Sequence, residues 1–137
     1  MRSIDRHQSQ TDYRKIIRFS FPVVFYSGII FYASSISTLT SPIKGPFSDK
    51  YMHVLEFFPF GFFLFHALWH IRPKRLFASE LMVVLLGSFL YGLSDEIHQL
   101  FVVGRDANVL DVIADTLGGY LGGFVYAKVV IKYKRYN

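Results

Sequence analysis

Apolar residues form four long stretches along the chain, separated by charged or Pro- and Gly-bearing breaks. The stretches cover approximately residues 19–39, 51–69, 81–93 and 112–131. A helix that crosses a membrane needs about 20 mostly apolar residues, because each residue adds about 1.5 Å and the hydrocarbon core is about 30 Å thick. The pattern therefore predicts an all-α fold, a four-span transmembrane helical bundle.

The third stretch is the shortest, with only thirteen residues between Glu80 and Ser94. It reaches spanning length only if residues 76–79 or 97–101 extend it. We place the spans at about residues 19–39, 51–69, 78–98 and 111–131. They form one transmembrane domain over residues 19–131, preceded by a basic segment at 1–18 and followed by a basic tail at 132–137.

The distribution of Lys and Arg predicts the orientation of the spans. Twelve of the fifteen lie in the N-terminal segment, in the loop at residues 72–75, and at the end of the chain from residue 128 onward. Cytoplasmic loops retain Lys and Arg, and four spans place these three regions on one side. Both termini are therefore predicted to be cytoplasmic, with only Lys44, Lys50 and Arg105 on the other side.

A cleavable signal peptide is the competing interpretation of residues 1–39. A basic head precedes an apolar run there, and the Ala-Ser-Ser at 33–35 weakly resembles a cleavage site. The apolar run is longer than the about 7–15 residues typical of signal peptides. The sequence therefore favours an uncleaved first span.

Composition supports a membrane protein. Hydrophobic residues make up 52% of the 137 and aromatic residues 18%, which is more apolar than is usual for a soluble domain. The chain has no Cys, which excludes disulfides, thiol chemistry and Cys-based zinc sites. The formal charge of +5 does not indicate nucleic acid, because the basic residues flank apolar segments. We expect membrane lipid as a partner and no nucleic acid.

Acidic residues gather at the boundary opposite the basic segments. Seven of the ten lie there: Asp49, Glu56, Asp95, Glu96, Asp106, Asp111 and Asp115. A charged group well inside a span costs about 2.5–3.5 kcal/mol, so such groups face the bundle interior, pair, or line a wet cavity. The charges of three separate helix ends are therefore predicted to meet in one polar pocket.

Helical spacing places these polar residues on common faces. Asp49, His53 and Glu56 follow at intervals of four and three, with Lys50 beside them. Similar spacings relate Glu96 to Gln99, Asp95 to His98, and Asp111 to Asp115. Arg105 lies between the last two groups, in a loop that contains Gly104.

Several kinds of site fit this constellation. A structural network of salt bridges is one, although it would need fewer residues than the sequence supplies. Paired carboxylates also serve as general acid and base, with His53 and Glu96 as candidate bases, but no nucleophile is identifiable. A single His among carboxylates is not typical of catalytic zinc, so we expect no metal and no cofactor.

Small residues mark the last span. Gly118 with Gly122, and Gly119 with Gly123, form overlapping GxxxG patterns that let a helix approach a neighbour closely. The pattern predicts packing within the bundle, and the same glycines could support an oligomer.

Three segments together resemble the VanZ-like family of small bacterial membrane proteins: DKYMHVLEFFPFG, LSDEIHQLFVVGR and DVIADTLGGYLGG. The resemblance extends from about Asp49 to Gly123. The positions it implies are Asp49, Lys50, His53, Glu56, Glu96, Gln99, Arg105, Asp111 and Asp115. Val103 stands where the family often has Pro, which bears on loop rigidity, and Asp115 where it often has Asn, which bears on the charge of the site.

The resemblance implies a protein of the bacterial cytoplasmic membrane, related to one associated with reduced susceptibility to the lipid-tailed glycopeptide teicoplanin. We expect an extracytoplasmic pocket that binds the head group of an amphiphile, either a lipid-linked envelope precursor or a lipoglycopeptide. Lys50 and Arg105 would meet phosphate or carboxylate there. The alternatives are an intramembrane enzyme acting on a lipid-linked substrate and a structural or accessory subunit.

Overall fold

The computed structural model describes the backbone of residues 2–36, 48–72 and 76–136, and the side chains of residues 12–36, 48–72 and 76–130. Four helices occupy the described backbone: α1 (Arg2–Ser34), α2 (Ser48–Ile71), α3 (Phe77–Gln99) and α4 (Val109–Tyr136). The described part of the chain contains no strand, so the all-α prediction is confirmed. Lys44, Lys74 and Arg75, which contributed to the predicted orientation, lie outside the described residues.

Three of the helices are long and apolar enough to cross a membrane. Their candidate spans are Asp12–Ser34, Ser48–Ile71 and Phe77–Gln99. The third of these, Phe77–Gln99, extends beyond the short apolar stretch at both ends. The fourth span and the orientation of the termini stay predictions.

The first helix begins earlier than the hydrophobic pattern indicated. α1 starts at Arg2 rather than near Phe19, and Pro22 lies inside it. The basic segment is rich in Arg, Lys and Gln, whose straight side chains lose little freedom in a helix, so the helix continues beyond its apolar part. At its other end α1 stops at Ser34, before the predicted limit at Leu39.

Apolar and polar side chains are distributed between the surface and the interior of the bundle as expected for helices in lipid. Large apolar side chains of α1 and α3 point outward, among them Phe21, Phe25, Leu86 and Leu90. The buried residues, in contrast, include carboxylates, an amide and hydroxyls. An apolar exterior around a partly polar interior is typical of helices that face hydrocarbon and enclose their ionisable groups.

α1 is part of the bundle rather than a separate anchor. Val23 and Ile30 are buried in one apolar cluster with Phe57 of α2. The hydroxyl of Tyr91 on α3 donates a hydrogen bond of 2.6 Å to the backbone oxygen of Ser27. These contacts pack the first helix against α2 and α3.

Glycines bring α4 into backbone contact with α2, the helix against which it packs most extensively. A Cβ atom on Gly118 would overlap the backbone oxygen of Val54, and one on Gly122 would overlap that of Phe58. Such close approach needs residues without a side chain. The predicted packing role is confirmed, whereas contact between chains through these glycines stays a prediction.

Adding a methyl group at the backbone contact between α2 and α4 should destabilise the protein. We expect Gly122→Ala to lower the free energy of unfolding by about 1–3 kcal/mol, the usual range for overpacking, because its Cβ would collide with backbone. Thermal unfolding of the purified protein in detergent measures the effect. Gly28→Ala is the matched control, since a Cβ there meets nothing within 4 Å. Equal melting temperatures for the two variants would contradict the expected destabilisation.

Candidate functional site

The predicted site residues lie where α2 begins, α3 ends and α4 begins. Successive helices run in opposite directions along the bundle, so these three ends share one side of it. We call the following residues the polar cluster: Asp49, Lys50, His53, Glu56, Asp95, Glu96, Gln99, Arg105, Asp111 and Asp115. Asp95, Glu96, Gln99, Asp111 and Asp115 are buried, Lys50, His53, Glu56 and Arg105 are half-buried, and Asp49 is exposed.

Lys50 connects the start of α2 to the start of α4. Its Nζ lies 2.8 Å from Oδ2 of Asp49. The same Nζ forms an ion pair with Oδ1 of Asp111. Because the Asp49 side chain is 60% exposed and that of Asp111 only 7%, the contact with Asp111 is the one that joins the two helices in the interior.

His53 lies between two carboxylates of α4. Its Nδ1 donates a hydrogen bond of 2.9 Å to Oδ1 of Asp115. Its Nε2 is 3.9 Å from Oδ2 of Asp111. Asp111 and Asp115 are four residues apart and therefore share one face of the helix. The imidazole is held between them, deeper in the bundle than Lys50.

Glu96 connects α3 to the beginning of α4. Its Oε2 accepts a hydrogen bond of 2.6 Å from the backbone N–H of Asn108. The Oδ1 of Asn108 in turn accepts from the backbone N–H of Leu110 at 3.0 Å. Asn108 is thus the N-cap of α4, a position that favours Asn. Glu96 thereby helps to position the helix that carries the two aspartates.

Asp95 is buried inside the bundle and His98 is not, although their spacing suggested that the two residues share one face of α3. Its Oδ2 accepts a hydrogen bond of 2.8 Å from Nε2 of Gln99. His98 turns instead towards α1, where its Nε2 lies 3.0 Å from Oγ of Ser35. The interval of four between Asp95 and Gln99 was visible in the sequence, but the rotation of α3 that turns both inward was not.

Arg105 reaches the end of α1. Its Nη2 donates hydrogen bonds of 3.2 Å to the backbone oxygen of Ala33 and 3.0 Å to that of Ile36. Backbone oxygens at the end of a helix lack partners within it, and a cation there is favoured. Arg105 therefore connects α1 to the cluster.

Gly92 on α3 was not singled out from the sequence. A Cβ atom there would lie 2.8 Å from both Cβ and Oδ2 of Asp115. The missing side chain makes room for the Asp115 carboxylate against α3. A glycine within an apolar span was the only signal, and it did not indicate which residue would use the space.

The cluster has more carboxylates than cations. Six acidic side chains face one Lys, one Arg and one His among the residues that define it. Such a site favours partners that donate hydrogen bonds or carry positive charge. One ligand atom each from His53, Glu96 and Asp115 lies within 4.8 Å of the others, so these three residues could hold a metal ion.

One comparison with known proteins agrees with the resemblance noted in the sequence, and two others found no match. No match was found among curated proteins or among solved structures. The model of a family described as VanZ/LLP1 matches residues 2–132, a range that contains every residue of the polar cluster. On this evidence the chain belongs to the VanZ/LLP1 family.

Proposed function

We propose that the polar cluster binds the head group of an amphiphile on the extracytoplasmic side of the bacterial cytoplasmic membrane. The observation that carries this proposal is the convergence of three helix ends. Lys50 and His53 of α2 contact the two aspartates of α4. Glu96 of α3 holds the loop residue that caps α4.

Apolar side chains surround the cluster on the same helix ends. Tyr51 and Leu55 on α2 are exposed, as are Leu110 and Ile113 on α4. Phe101, just after α3, is exposed as well. Polar groups beside outward-facing apolar ones match a molecule with a polar head and a hydrocarbon tail. The arrangement therefore supports an amphiphilic ligand rather than a small polar solute.

The chemistry of the cluster favours a head group with several hydrogen-bond donors. Its carboxylates can accept hydrogen bonds from sugar hydroxyls or amide N–H groups. Lys50 and the guanidinium of Arg105 can meet a phosphate or carboxylate at the rim. A head group with sugar or peptide, as in a lipid-linked envelope precursor or a lipoglycopeptide, fits this excess of carboxylates over cations better than phosphate alone. Binding of either kind would link the protein to reduced susceptibility to teicoplanin-type glycopeptides.

Unsatisfied oxygens argue against a purely structural role. Among the described residues, Oδ1 of Asp95, Oε1 of Glu96 and Oδ2 of Asp115 are buried without a hydrogen-bond partner. Leaving a buried polar atom unpaired costs about 1–3 kcal/mol, and native structures avoid it. Unpaired carboxylate oxygens that lie together at three helix ends can accept hydrogen bonds from a ligand, which supports a binding role.

Head-group binding should weaken when Asp111 loses its charge. We expect Asp111→Asn to reduce affinity for a lipid-linked cell-wall precursor by roughly tenfold or more, since a hydrogen bond to a charged group is worth about 1.5–3 kcal/mol. Native mass spectrometry of the purified protein with this lipid, and with phosphatidylglycerol for comparison, measures the change. Asp106→Asn is the control, because Asp106 is exposed in the loop before α4. Equal affinity in both variants, or no preference over phosphatidylglycerol, would refute the proposal.

A catalytic role at the same place is the second candidate, favoured by the geometry of His53. An imidazole oriented by a buried carboxylate is the usual arrangement of a general base. Asp115, which is 0% exposed, holds His53 in this way. The substrate would be a lipid-linked group cleaved or transferred at the membrane surface.

Turnover of labelled lipid-linked precursors by the protein in nanodiscs tests this second candidate. We expect His53→Gln to slow turnover by about 10²–10⁴-fold, the range typical of general acid–base catalysis. His66→Gln is the control, because His66 contacts Tyr126 near the opposite end of α2. Absence of turnover by the unaltered protein would leave binding as the function.

A further inference from the structure

Three helices each direct a metal-binding side chain to one point in the bundle. His53 comes from α2, Glu96 from α3 and Asp115 from α4, and one ligand atom of each lies within 4.8 Å of the others. We propose that these three residues bind a divalent transition metal ion, Zn²⁺ or Mn²⁺. The inference does not depend on head-group binding, because it concerns ion affinity alone.

The spacing of the ligand atoms is close to that of a metal site. Zinc lies about 2.0–2.2 Å from nitrogen and oxygen ligands, so neighbouring ligands are roughly 3–4 Å apart. Nδ1 of His53 and Oδ1 of Asp115 are already 2.9 Å apart. An ion between them would replace the proton that they share, which passes to solvent as metal binds. A small movement of the Glu96 side chain completes the set.

The two carboxylates each present an oxygen that lacks a partner. Oε2 of Glu96 accepts from the Asn108 backbone, and Oε1 is buried without a hydrogen bond among the described residues. Asp115 repeats the pattern, with Oδ1 bonded to His53 and Oδ2 unpartnered. Glu96 is 4% exposed and Asp115 0%. A carboxylate that binds the ion through both of its oxygens would give the free oxygen a partner, and the two carboxylates together balance the charge of a divalent ion.

Residues around the three ligands would orient them. When His53 binds through Nδ1, its Nε2 faces Oδ2 of Asp111, which is 3.9 Å away. Lys50 holds the other oxygen of Asp111. In such sites the ring nitrogen of a metal-binding histidine that does not bind the metal commonly donates a hydrogen bond to a carboxylate, which sets the orientation of the ring.

The donor set selects the class of ion. One imidazole with two carboxylates suits Zn²⁺ or Mn²⁺, whereas Ca²⁺ and Mg²⁺ prefer oxygen ligands alone. Three protein ligands also leave a coordination position open. A single histidine in the sequence did not indicate such a site, because the other two ligands come from distant segments.

Metal content of the purified full chain tests the proposal. The protein in detergent is stripped with a chelator, dialysed separately against Zn²⁺, Mn²⁺ and Mg²⁺, and analysed by inductively coupled plasma mass spectrometry. We expect about one Zn²⁺ or Mn²⁺ per chain and little Mg²⁺. Glu96→Gln and Asp115→Asn should each weaken binding more than the about 10–100-fold typical of an outer partner.

Glu80→Gln is the matched control, because Glu80 is also a buried carboxylate with an unpartnered oxygen but lies at the start of α3, at the other end of that helix. It should retain the metal. Equal metal content in all these variants, or none in the unaltered protein, would overturn the proposal.

Electron paramagnetic resonance of the Mn²⁺-loaded, unaltered protein provides a test that needs no folded variant. Coupling to an imidazole nitrogen is expected, and its absence would overturn the assignment of His53. Failure of these metal tests would leave head-group binding standing, because that function is measured by lipid affinity.

Discussion

The close approach of α2 and α4 is the constraint on which the rest of the structure depends. One face of α4 carries Asp111, Asp115, Gly118 and Gly122 at intervals of four, three and four. The glycines let the backbones touch, and the aspartates one or two turns away then meet Lys50 and His53. A larger residue in the glycine positions would separate the helices and leave charges unpaired in the bundle.

The same pairing explains how a lipid-facing protein can hold so many ionisable groups. The outward faces of α1 and α3 are apolar, whereas the buried carboxylates other than Glu80 lie where α2 begins, α3 ends and α4 begins. Several of these carboxylates are tied by hydrogen bonds to another segment of the chain or to their own helix, as Glu96 is tied to Asn108 and Asp95 to Gln99. Our proposals assign the unpaired oxygens of Glu96 and Asp115 to a head group or a metal ion.

α1 packs against the outside of the group formed by α2, α3 and α4. Arg105 donates to the backbone oxygens at its end, and Tyr91 donates to Ser27 near its middle. Part of the guanidinium is therefore committed to holding α1. The proposed contact of Arg105 with an anionic group must use its remaining N–H groups, which places that contact at the α1 side of the polar cluster.

The sequence by itself determined the helical class and the set of polar helix ends, because hydrophobic length and helical spacing are local properties of the chain. It also identified the glycines as packing positions. Only the tertiary structure decided that His53 pairs with Asp115, that His98 turns to α1, and that Gly92 makes room for a carboxylate. Spacing shows which residues share a face of one helix, but the rotation of that face towards its neighbours follows from packing among all four helices.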